Sequence, residues 1–303
     1  MLTARVLVGV VDAGFLVAQL VNALFYSSIL FMIASGLSLI FGITRILNLA
    51  HGAFYMLGAY IMYTVMTALP GGASAVLGIL AAGTIVAVIG LLVEAGLLSR
   101  VYGKPEEVQL LLTFALILVL DDLAKLIWGP EYKSLTTLPW GSLAVGDYTI
   151  PVYHLVAIAV ALASAVGLWL LFSRTTLGKK IRASASYPEV AEALGVDTRR
   201  MFIVTFMLGS ALAGASGALA GPVLTAYPGM GTEAIVLSFA IIVIGGMGSI
   251  LGALAGALIV GFTRTVMAIV YPVLEVALIY IVMAIVLLVK PTGLFGGREV
   301  ERR

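Results

Sequence analysis

ASAVLGILAAGTIVAVIGLLVEAGLL, residues 73–98, is an unbroken apolar run that carries a single charge, Glu94. As an α-helix at ~1.5 Å per residue it is longer than the ~30 Å hydrocarbon core of a bilayer. Apolar residues occupy every helical face, and no two-residue alternation of the outer-membrane-strand kind is present, so the run reads as a membrane-spanning helix. Similar runs recur at Phe15 to Ile43, Asn48 to Leu69, Val108 to Trp128, Val152 to Phe172, Met201 to Thr225, Ala234 to Phe262 and Val266 to Val289. Together they predict an all-α polytopic membrane protein of about eight membrane segments in one domain, residues 1–303. The segment after Asp12 reads as a retained first span, because no small-residue cleavage site stands out ahead of it.

Composition agrees. Hydrophobic residues make up 62% of the 303 positions and charged residues 11%, against roughly 45–50% and 25% in soluble domains. The solvent is therefore lipid. A net charge of +2, with cations scattered through short loops, argues against nucleic acid as a partner. Zero cysteines exclude disulfides, thiolate metal sites and a cysteine nucleophile.

The seventh run is interrupted by Ile244-Gly245-Gly246-Met247-Gly248-Ser249. Glycines in such a place favour a broken or re-entrant helix, in which protein or water satisfies the backbone, so the run is either one interrupted span or a hairpin of two half-helices. Near the membrane centre, a break of this kind would turn helix-end dipoles toward a carboxylate or an ammonium group. Gly245, Gly246 and Gly248 are on that ground candidates for a translocation pathway. Gly248, Gly252 and Gly256 also form small-xxx-small steps, and Gly209, Gly214, Gly217 and Gly221 in the sixth run offer a similar small-residue surface; both predict close helix packing.

Cations set the orientation. Arg45, Arg100, Lys104, Arg174, Lys179, Lys180, Arg182, Arg199 and Arg200 follow the odd-numbered spans, whereas the Gly129 to Pro151 loop has Lys133 alone. That loop and the N-terminus are expected outside. A tail bearing Lys290, Arg298, Arg302 and Arg303 belongs in the cytoplasm; eight simple crossings would put it outside, and a re-entrant seventh segment would remove the conflict.

The loop from Ser173 to Arg200 holds six of the seventeen Lys and Arg residues. Within it, Ser186-Tyr187-Pro188-Glu189 has the form of a capping box with proline in the first turn, and Gly195 is a natural stop. A helix of about eight residues is expected, with Val190, Ala191 and Leu194 on one face and Glu189 and Glu192 elsewhere. So short a helix does not hold alone in water. It docks either on its own bundle or on a partner.

Asn48, His51 and Tyr55 fall on one face if the second span is helical from Asn48, which suits a pore lining. The alternative is that Asn48 caps the helix and His51 is a satisfied interhelical hydrogen bonder. Asp121, Asp122 and Lys125 lie near the external end of the fourth span at pairing distances. The chain has no Gly-x-x-x-x-Gly-Lys-Ser/Thr phosphate loop, no His-Glu-x-x-His and no Gly-x-Ser-x-Gly. ATP hydrolysis is therefore not expected of it, and an enzyme is disfavoured because no nucleophile and base pair emerges; a self-sufficient secondary carrier, which would need ion-coupling residues at mid-membrane, stands as the alternative.

Four blocks carry a resemblance across nearly the whole chain: Gly36 to Gly42 followed by Asn48 to Tyr60; Ala193 to Asp197 with Arg199 and Arg200; Gly245 to Ala253; and Pro291 to Gly296. In this order they resemble the LivH-type permeases, membrane subunits of ATP-binding-cassette importers for branched-chain amino acids. The resemblance implies a coupling helix made of Glu189, Val190, Ala191, Glu192, Leu194 and Gly195, seated in a separate ATPase that binds ATP and Mg. It also implies a second permease subunit, homologous or identical, and an extracytoplasmic solute-binding protein. No cofactor is implied in this chain, and its place is the inner or plasma membrane. Similar permeases serve urea and amides. Where members often carry an acidic residue after the His-Gly pair, this chain has Ala53.

Overall fold

A computed structural model describes residues 12–69, 71–135 and 140–296. Arg5, Pro70, Arg298, Arg302 and Arg303, and part of the Gly129 to Pro151 loop, lie outside the described residues. The helices are α1 Ala13–Thr44, α2 His51–Ala68, α3 Ala73–Gly96, α4 Glu106–Trp128, α5 Val152–Arg174, α6 Thr176–Ser186, α7 Pro188–Ala193, α8 Thr198–Leu224, α9 Met230–Gly245, α10 Ile250–Val270 and α11 Glu275–Val289. Among the described residues six segments are long and apolar enough to cross a membrane, α9 being a shorter apolar helix. A small hairpin, β1 Ser142–Val145 paired antiparallel with β2 Tyr148–Pro151, turns at Gly146-Asp147 against the start of α1.

The bundle is built around α8, which packs on α1, α2 and α3. Glycine makes this possible by letting backbones meet: Gly209 lies on Gly36 and Ile40, Gly214 on Gly58 and Val86, and Gly217 on Tyr55 and Ala59. In lipid there is no hydrophobic drive between helices, so such close approach supplies the attraction. Two long-range hydrogen bonds add to it. Ser216 Oγ donates to the Ile29 carbonyl (2.7 Å) and Tyr153 Oη to that of Leu219 (3.0 Å), fastening α1 and α5 to the central helix.

The seventh run is not one broken span. α9 and α10 are two antiparallel helices, with Gly245 against Gly252 and Gly256 against Ile241. Their connection lies at the end of the bundle and not midway. Gly248 sits beside Gly42 near the end of α1, and Gly246 touches Gly293 and Gly296. Gly246 (φ 104°) and Gly248 (φ 79°) take left-handed backbone that turns the chain, and Ser249 Oγ then accepts from Gly252 N (3.0 Å) to start α10. The boundary expected between Phe262 and Val266 is also absent. The helix continues to Val270 because its polar residues are satisfied in place: Arg264 pairs with Glu275 (2.6 Å), and Thr265 Oγ1 donates to the Gly261 carbonyl (3.0 Å).

Among the described residues nine helices remain when the short α6 and α7 are set aside, and the end of α11 meets the end of α1 through the turn from Gly246 to Gly248. This places residues 290–296 at the cation-rich end, where Leu294 N and Phe295 N donate to the carbonyls of Ile244 (2.9 Å) and Gly245 (2.7 Å). The conflict over the C-terminal segment disappears without a re-entrant loop.

Candidate functional site

Two regions gather polar chemistry, one at each end of the bundle. At the cation-rich end the loop after α5 folds into two helices where one was expected. α6 is amphipathic and lays Gly178, Ile181 and Ser184 inward. Because α6 runs through Ser186, the capping box does not form: Tyr187 occupies the N-cap of α7 with no side-chain cap bond, and the helix is six residues long. Gly195 does end it. Gly195 N donates to the Glu192 carbonyl and Val196 N to that of Ala191 (both 2.9 Å), with φ 82° at Gly195, which is a Schellman motif.

The expected face of α7 is divided. Ala191 is buried against its own chain, while Val190 is 56% exposed and Leu194 80% exposed, joined by Tyr187. Glu189 is exposed. Glu192 serves the fold, accepting from Thr198 Oγ1 at the start of α8. The helix is thus held on one side and presents an apolar edge on the other. Beside it, Tyr102 Oη donates to the buried Glu94 carboxylate (2.7 Å), and Tyr102 and Phe202 rings meet edge to face at 5.4 Å.

At the opposite end a cavity of about 160 Å³ opens between α1, α2, α9 and α10. Tyr26, Ile29, Leu30 and Ile33 come from α1, Tyr55 from α2, Met230, Glu233, Ala234 and Leu237 from α9, and Arg264 from α10, with Leu224 and Tyr227 from the end of α8 and the turn after it. The Arg264 guanidinium is held from two sides, by Glu275 at 2.6 Å and by the Tyr26 ring, 4.9 Å away. Glu233, in the first turn of α9, is exposed to the cavity and accepts from the Tyr227 hydroxyl. Burial together with that carboxylate pushes Tyr227 up to about 12. The rim is braced from outside: Tyr132 stacks on Tyr227 at 5.1 Å, and Lys133 and Ala226 exchange backbone hydrogen bonds (2.8 and 3.0 Å). Asp121 accepts from Gly229 N (2.5 Å) and pairs with Lys125 (2.7 Å), which fixes the turn leading into α9.

The sequence-derived pathway residues are not brought together. Asn48 precedes α2 in coil and is not on its face; Ala50 is the N-cap, and the Asn48 side chain caps nothing. His51 is buried between α2 and α1, with Nε2 3.0 Å from the Ile33 carbonyl, as in the hydrogen-bonding alternative. Tyr55 alone reaches the cavity. Gly245, Gly246 and Gly248 form the turn at the other end. Neither Glu233 nor Arg264 was singled out by the sequence as a site residue. The one available signal for Glu233 was an acid just ahead of an apolar run, after Pro228-Gly229. The blocks that carried the resemblance do converge: Gly42, Gly248, Gly293 and Gly296 come from three of them and pack at one end of the bundle.

The chain is 30% identical over 297 residues to the high-affinity branched-chain amino acid transport system permease protein BraD of Pseudomonas aeruginosa, covering 94% of this chain and 97% of that one. It is 28% identical, over 94% of this chain and 96% of the relative, to the permease protein LivH of Escherichia coli of the same description. A probable branched-chain amino acid transport permease protein LivH of Methanocaldococcus jannaschii is 25% identical over 91% of each chain. No solved structure matches. The family described as branched-chain amino acid transport system / permease component matches residues 19–289. The helical bundle and this match, which takes in both polar regions but for the last turn, place the chain in that family as a multi-pass membrane permease component.

Proposed function

We propose that this chain is the permease subunit of an ATP-driven importer that carries branched-chain amino acids across the plasma membrane. The observation that carries the reading is the family match over residues 19–289, with relatives of that name along the full length. ATP and Mg are bound by a separate ATPase, which grips α7 by Tyr187, Val190 and Leu194, apolar groups left exposed although the helix is fastened on its other side. Glu189, Ala191, Glu192 and Gly195 complete that coupling element as its frame. A second permease subunit closes the pathway, and a solute-binding protein delivers substrate at the cation-poor end. Movement of the coupling helices by the ATPases then alternates access between the two ends.

The test is reconstitution of the chain in lipid vesicles with and without its ATPase, partner permease and binding protein. ATP-dependent leucine, isoleucine or valine uptake is expected from the complete assembly and none from the chain alone. Uptake by the chain alone, driven by an ion gradient, overturns the reading in favour of a secondary carrier.

A further inference from the structure

Resting on the reading above, we infer that the cavity between α1, α9 and α10 is a transit site for a zwitterionic amino acid, with Glu233 taking the α-ammonium and Arg264 the α-carboxylate. Apolar lining dominates the cavity, and two side chains of opposite charge come from different helices. An apolar pocket with a few convergent polar groups is the usual form of a small-molecule site. Its volume of about 160 Å³ is below the roughly 300 Å³ where drug-sized pockets begin, which favours a solute the size of a single amino acid.

The two charged groups are set up differently from a structural ion pair. Among the described residues no ion pair joins the two; each is oriented by a separate neighbour. Arg264 is fixed by Glu275 and by the Tyr26 face, yet its side chain remains 30% exposed, and a guanidinium offers five N–H donors, of which Glu275 engages the Nε side. Glu233 accepts from Tyr227 and keeps lone pairs free. A ligand with one cationic and one anionic group can therefore add to both without breaking either existing bond. A purely anionic solute would bring another negative charge beside Glu233 and Glu275 in a largely apolar cleft, which is costly. Ile29, Ile33 and Leu237 then face the aliphatic side chain. Glu233 and Arg264 are positioning residues for transport and not catalytic ones.

The experiment uses the complete transporter in vesicles, supplied with saturating leucine-loaded binding protein so that the uptake rate reports events after delivery. Glu233→Gln and Arg264→Gln are compared with the charge-keeping Glu233→Asp and Arg264→Lys. Because Arg264→Gln strands Glu275, the double variant Arg264→Gln/Glu275→Gln is included, and membrane insertion and subunit assembly are measured for all. Loss of one charge-assisted hydrogen bond predicts a fall of roughly ten- to hundredfold in leucine uptake for Glu233→Gln and for the double variant. Glu233→Asp and Arg264→Lys retain an intermediate rate. Wild-type uptake with unchanged rates in assembled Glu233→Gln and in the double variant overturns the site and leaves the proposed function standing. Absence of branched-chain amino acid uptake by the wild-type assembly overturns both.

Discussion

Gly217→Ala adds one methyl group to the centre of the bundle and should destabilise it by about 2 kcal/mol. A Cβ at this position would stand 2.7 Å from the Tyr55 carbonyl carbon and 3.1 Å from Ala59 N, and nearer still to the Tyr55 oxygen, where ordinary contact begins at 3.4 Å. Every one of these atoms is backbone, so no rotamer change can make room and α2 and α8 must part. Parting them also loosens the neighbouring approaches of Gly58 to Gly214 and Gly221 to Ala59. Overpacking of this kind costs ~1–3 kcal/mol, and rigid backbone on both sides puts it at the upper end. Replacing a helical glycine by alanine returns up to ~1 kcal/mol in helix propensity, which leaves a net loss of about 2 kcal/mol. Gly167→Ala in α5 isolates the second effect, since nothing lies within 4 Å of its Cβ position, and it should gain ~0.5–1 kcal/mol. Both are measured by reversible unfolding of the purified chain in mixed detergent micelles. If Gly217→Ala unfolds at the same point as Gly167→Ala, helix approach through glycine is not what holds α2 against α8.

Leu194→Asp should change the stability of the isolated chain by less than about 0.5 kcal/mol, because the side chain is 80% exposed. It should nevertheless reduce co-purification of the ATPase and coupled uptake at least ~10-fold, as expected for a charge placed in an apolar contact; undiminished uptake would remove α7 from the coupling role. Alkaline unfolding should be gentler in Tyr227→Phe than in the wild type. Tyr227 titrates near 10 in an unfolded chain and is raised to about 12 in the folded one, so its contribution is complete below pH 10. Between those values the unfolded chain releases a proton that the folded chain keeps, and stability falls. Solvent around this partly covered ring keeps the effect well below the full linkage value. Identical pH profiles for the two proteins between pH 9.5 and ~12 would show that burial at the cavity rim does not hold this hydroxyl protonated in the folded chain.

Much of the fold was legible because lipid imposes a length and a composition that a sequence displays directly. Residues 73–98 announce a span, and α3 begins at Ala73 as expected. The cation bias of the loops agrees with the ends at which they gather, Gly195 stops α7 as its chemistry requires, and the small-residue steps of α8 mark real backbone contacts. Asp121, Asp122 and Lys125 pair as their spacing suggests. Misplaced elements share a cause. The capping signature at Ser186 is local, and it was overridden because α6, started by the Thr175 cap and buried along Gly178, Ile181 and Ser184, continues through Ser186. The polar triplet Thr263-Arg264-Thr265 looked like a boundary because its partners, Glu275 and the Gly261 carbonyl, are set only once the helix is formed.

The sequence was sufficient for the membrane class, the cation bias of the loops, a short helix stopped by Gly195 and the family, since each rests on composition, spacing or a contiguous block. Tertiary structure alone decided that Glu233 and Arg264 line one cavity, that the glycine-rich turn lies at the end of the bundle, and that Asn48, His51 and Tyr55 part company. The physical reason is that periodicity fixes which residues share a face of one helix. Which faces of different helices meet is set by where glycine lets backbones approach and by which charges find partners across the bundle, and neither is written in any single segment.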